Sequence, residues 1–78
     1  MANLRILQLN GQRCYGVMSE LGDCMLRERL SICLLQEPYV RNGVVVGLPS
    51  AMRAYVSMNG GAAIVVNDRK SDVIPVSN

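Results

Sequence analysis

Seventy-eight residues allow one domain at most, and a composition half hydrophobic with no Trp or Phe makes it an ordered, aliphatic chain rather than a disordered one. A net charge of +2 is too small to argue for a nucleic-acid partner by itself. Three cysteines without a C-x-x-C pair and no histidine remove the usual zinc spacings and point to a reducing compartment. No run approaches the roughly 20 apolar residues of a membrane span, and no basic segment precedes an apolar signal core. The expectation is a soluble, intracellular protein with no membrane partner.

Leu4-Arg5-Ile6-Leu7-Gln8-Leu9-Asn10-Gly11 is a largely apolar run that closes in a polar residue and a glycine, and reads as a first strand. Apolar residues then fall at Val17, Met18, Leu21, Cys24, Met25 and Leu30, near helical spacing, with Glu20 and Asp23 early and Arg27 and Arg29 late. This spacing predicts a helix from Tyr15 to Leu30. Gly22 inside it costs about 1 kcal/mol relative to alanine, so the helix is expected to depend on docking against a sheet.

Ile32-Cys33-Leu34-Leu35 alternates no polar residue and is expected to be a strand covered on both sides. It surfaces in Gln36-Glu37-Pro38-Tyr39. Pro38 disfavours helical geometry in the residue before it, which predicts an extended Glu37 at the strand end. With a helix between the two apolar runs the unit is β-α-β. Such crossovers place strands parallel and about 4.8 Å apart, so Asn10 and Glu37 would share one rim.

Beyond Tyr39 the chain changes character. Asn42-Gly43 followed by Val44-Val45-Val46 signals a short edge hairpin or an ordered loop. Arg53 to Met58 and Ala62 to Val66 read as antiparallel strands about an Asn59-Gly60-Gly61 turn, which lacks the Lys-Ser/Thr and following helix of a phosphate loop. Asn67-Asp68-Arg69-Lys70 reads as a polar turn, and Asp72 to Val76 as a final strand. The sum is an α/β chain with a mixed sheet and one covering helix.

Leu-Gln-Leu-Asn, then Leu-Leu-Gln-Glu-Pro-Tyr-Val-Arg, Gly47-Leu48-Pro49 and Ala62-Ala63-Ile64-Val65-Val66, in that order, resemble the apurinic-like endonuclease domain of retrotransposons without long terminal repeats. That domain belongs to the endonuclease/exonuclease/phosphatase superfamily. The resemblance covers nearly all of residues 1–78 but only the opening part of the domain. It implies the β-α-β start of a four-layer α/β/β/α sandwich whose second sheet is missing here, leaving one sheet face uncovered.

The chemistry implied is Mg2+-dependent phosphodiester hydrolysis, with Mn2+ as the alternative ion, nicking target DNA to prime reverse transcription. Magnesium takes oxygen ligands, keeps several waters, and is usually held by one or two carboxylates plus phosphate. By resemblance Glu37 binds the ion and Asn10 positions the scissile phosphate. Arg13 is a candidate phosphate contact, and Gln36 and Tyr39 candidates to support the ion's ligands from behind. Each has a structural alternative: a solvated loop charge for Arg13, backbone satisfaction for Gln36, packing for Tyr39, a turn-capping carboxylate for Glu37.

That family also needs a histidine paired with aspartate, and a Tyr and an Asp-x-Asn element further along. No histidine and no Asp-x-Asn occurs here, so general-base catalysis lacks a candidate and the chain alone is expected to be inactive. The implied partners are DNA, the remainder of the endonuclease domain and reverse transcriptase in the same polypeptide, and a second copy through the uncovered face. The implied location is the nucleus if the element is active. The residues leave a second reading open: a non-catalytic α/β interaction module, or a truncated transposon-derived binding protein.

Overall fold

The computed structural model of the chain describes residues 5–67. Strand β1 (Ile6–Asn10) leads into helix α1 (Tyr15–Arg27) and back to strand β2 (Ile32–Gln36). The two strands are parallel, in a register that sets Ile6 beside Ile32 and Asn10 beside Gln36. Two short strands follow, β3 (Val40–Arg41) and β4 (Val44–Val45), then β5 (Met52–Val56) and β6 (Ala62–Asn67). β6 inserts between β2 and β5, antiparallel to both, giving a mixed sheet in the order β1-β2-β6-β5. The expected α/β architecture is what these residues adopt.

The core lies between α1 and one face of this sheet. Met18, Leu21 and Met25, one stripe of α1, bury against Cys33 and Leu35 of β2, Ala63 and Val65 of β6 and Met52 of β5. The β3–β4 hairpin adds Val45 to the same cluster. Its turn has Asn42 at φ +55 and Gly43 at φ +77, the positive angles that match the twist of two strands joined by two residues. Gly22 belongs to the buried stripe because Pro49 lies on it: a Cβ there would stand 2.5 Å from the proline Cδ. The glycine that weakens the isolated helix is thus the contact that docks it.

The helix stops earlier than its apolar spacing predicts. Arg29 takes a left-handed φ of +56, and the Leu30 amide donates to the Met25 carbonyl at 3.0 Å. This six-to-one bond is the Schellman ending, which returns Leu30 to the core beside Met25 without another helical turn. The Arg5 guanidinium donates to the Glu28 carbonyl at 2.8 Å and ties the helix end to the start of β1.

Two further expectations are corrected. β2 is covered on one face only: Cys33 and Leu35 are buried, but Leu34 is 41% exposed. Asn67 is the buried last residue of β6 rather than part of a turn, its Nδ2 donating to the Leu30 carbonyl at 3.1 Å and its amide to the Ser31 carbonyl at 2.9 Å. The strand expected at Asp72 to Val76 lies outside the described residues. Among those described, nothing covers the second sheet face, where Ile6, Leu34, Tyr55 and Ile64 are exposed. No described helix is long and apolar enough to cross a membrane.

Candidate functional site

The parallel pairing of β1 and β2 brings their C-terminal ends to one rim, where Asn10 and Gln36 are register partners and Glu37 follows directly. All three side chains are exposed. Backbone bonds clasp the two strand ends: Gly11 donates to the Gln36 carbonyl at 2.6 Å, and the Arg13 amide to the Glu37 carbonyl at 2.8 Å. Gly11 has to be bare, since a Cβ there would meet Met18 Cε at 2.6 Å and the Glu37 carbonyl at 2.8 Å.

Glu37 is not extended. Its φ is +51, a left-handed conformation against the steric preference of a residue before proline. Two contacts outweigh that preference: the Glu37 amide donates to the Gly61 carbonyl at 2.9 Å while its carbonyl receives the Arg13 amide. Gln12 and Arg13 opposite are also left-handed, at φ +54 and +49. The Asn10 Oδ1 accepts the Gln12 amide at 2.8 Å and holds this turn in place. Three non-glycine residues in a sparsely populated region at one rim are the kind of local strain that collects at functional sites.

Tyr39 turns towards different company. It is half-buried, meets Tyr15 edge-to-face at a centroid separation of 6.2 Å, and carries the Arg41 guanidinium 5.4 Å from its ring centre. Tyr15 and Arg41 were not legible as site residues. Tyr15 reads as the first residue of a helix, and only the tight Asn42-Gly43 turn behind Arg41 hints that it lies beside Tyr39. The β5–β6 turn completes the rim, stiffened by Asn59 Oδ1, which accepts the Gly61 amide at 2.8 Å and the Ser57 hydroxyl at 2.9 Å. A groove of about 450 Å³ runs from Gln36 and Ser57 along the open sheet face past Leu34, Tyr55 and Ile64.

The donor set at the rim is hard oxygen: one carboxylate and one amide. No group of three or more His, Cys, Asp or Glu side chains occurs among the described residues. Ligand types of this kind suit a cation that keeps most of its water and takes further ligands from phosphate, rather than zinc. Cys14 is exposed at the N-terminus of α1, its amide donating to the Gly11 carbonyl at 3.0 Å, whereas Cys33 lies in the core. Burial in the core, with Cys24 nearby, pushes the Cys33 thiol from its ordinary 9.0 up to about 11, which suppresses thiolate reactivity at neutral pH.

Over 70 residues the chain is 33% identical to a 115 kDa protein in the type-1 retrotransposable element R1DM of Drosophila melanogaster. The similarity supports a retrotransposon-derived origin. It takes in 90% of this chain and 7% of that protein's length. No protein-family model matches the chain, and no solved structure does.

Proposed function

We propose that these residues form the opening part of a Mg2+-dependent DNA endonuclease domain from a retrotransposon protein. In this reading Glu37 holds the ion and Asn10 orients the scissile phosphate. The observation that carries it is the clasped rim, where Asn10 ends β1, Glu37 follows β2 in a left-handed conformation, and backbone bonds join the two strand ends. The retrotransposon similarity and the order of the Asn, Gln-Glu-Pro-Tyr and Gly-Leu-Pro elements point the same way. A divalent ion bound there would polarise a phosphoryl oxygen and stabilise charge on the leaving oxygen. Asn10 has one lone pair of its amide oxygen committed to Gln12, leaving its NH2 to donate to phosphate. The chain has no histidine to act as the general base that the resembled family uses, so the 78 residues are expected to bind the ion without cutting DNA.

Paramagnetic broadening by Mn2+ tests this reading. Amide signals of residues 10–13 and 36–38 should broaden selectively, and Glu37→Gln should abolish the effect while leaving the spectrum otherwise folded. Broadening spread evenly over the other carboxylates would remove the metal role. Metal-dependent nicking of supercoiled plasmid, lost in the same variant, would show that the chain is catalytically self-sufficient after all.

One observation favours a second reading, a non-catalytic interaction module: the apolar face of Ile6, Leu34, Tyr55 and Ile64 stands open. Under that reading the chain self-associates or captures a partner through this face. Sedimentation of a concentration-independent monomer would count against the self-associating form.

A further inference from the structure

Tyr15 is 55% exposed, yet its ring is fixed. It meets Tyr39 at an interplanar angle of 85°. Bare backbone lies against its flank, because a Cβ at Gly47 would come within 3.3 Å of the Tyr15 Cε1 and the residue's φ of +105 favours glycine. The ring is therefore held without being covered. Its support, Tyr39, also carries Arg41, and the loop leading into Tyr15 carries Arg13. Both arginines are exposed, and neither forms an ion pair among the described residues. The cluster sits where α1 and the β3–β4 hairpin leave the rim that holds Asn10 and Glu37.

An ordered, exposed aromatic ring with two arginines on the segments around it, neither ion-paired among the described residues, matches one ligand chemistry well. A base offers a π-surface to stack on, its flanking phosphates accept from arginine, and a ring already ordered loses little freedom on binding. A paired base inside a duplex hides that surface. We propose that Tyr15 is a stacking shelf for an unpaired nucleobase, with Arg41 and Arg13 contacting the adjoining phosphates. The proposal takes the nucleic-acid partner from the reading above but is independent of the metal role of Glu37.

The test uses the 78-residue chain and a short oligothymidine with a fluorescent end label, titrated by anisotropy in the presence of EDTA. Tyr15→Phe, which keeps the π-face, should bind as the wild type does. Tyr15→Leu should weaken binding about tenfold. Arg41→Ala should weaken it and flatten its salt dependence. Amide spectra of each variant establish that the rim is intact, and Tyr15→Phe keeps the comparison meaningful if leucine loosens the Tyr39 contact. Wild-type affinity in a folded Tyr15→Leu chain overturns the shelf. Equal losses for oligothymidine and a fully paired duplex also overturn it, since that pattern means phosphate contact without stacking. Because EDTA removes divalent ions, failure of Mn2+ broadening at Glu37 and failure of this stacking are separate outcomes.

Discussion

Glu37 ties a single backbone angle both to stability and to the metal role proposed above. A non-glycine residue in the left-handed region costs about 1 kcal/mol or more, and the clasp between Glu37, Arg13 and Gly61 holds it there. Glycine takes the same angle without that cost but loses more freedom on folding. Glu37→Gly should therefore raise thermal stability slightly, by up to about 1 kcal/mol, while eliminating Mn2+ broadening at the rim. A fall in the melting temperature instead would mean that the carboxylate supports the fold. Cys33 makes a prediction of the opposite kind, through pH. Below pH 9 its thiol is neutral whether the chain is folded or unfolded, and stability is undiminished. As pH rises from 9 through about 11 the unfolded chain releases the proton first, so stability falls. Denaturant midpoints across that interval measure it, and Cys33→Ala should flatten the part of the slope that the thiol causes.

The elements follow from local pattern where one signal dominates. Arg29, left-handed after α1, occupies the position that glycine usually takes in a Schellman ending. Arg29→Gly should stabilise the chain by about 0.5–1 kcal/mol, read as a rise in melting temperature, with Leu30 still buried. The same residue explains why the helix end was illegible: an arginine carries no stop signal, and the apolar Leu30 continues the helical spacing. Both apolar strands, the Met18-Leu21-Met25 stripe and the Asn42-Gly43 turn were legible, since each combines periodicity with turn chemistry. The Glu37 conformation was not, because the preference set by Pro38 is local whereas the bonds to Arg13 and Gly61 join segments far apart in sequence. Asn67 escaped notice for a related reason, its polar side chain being satisfied at the distant Leu30 carbonyl. At the candidate site the strand ends were legible from their residue types, and the Tyr15–Tyr39–Arg41 cluster only from the fold.

At the scale of the whole molecule, one face of the sheet is packed and the other open, and neighbouring residues of one strand report on both. Leu35→Ala removes a buried side chain from beneath α1 and should cost about 2–5 kcal/mol. Leu34→Ala, on the open face, should cost less than about 1 kcal/mol in chemical denaturation. Similar losses at both would mean that the open face is covered in solution. β2, like β6, has a partner on each side in the sheet, but neither partner of β2 is near in sequence. Leu34 pairs with Gln8 before the helix and with Ile64, thirty positions later. During synthesis at about 5–20 residues per second, the uncharged Ile32-Cys33-Leu34-Leu35 segment emerges well before β6 exists. For that interval its ladder groups are unclaimed on one side, a template for stray pairing between nascent chains that a holdase chaperone would relieve.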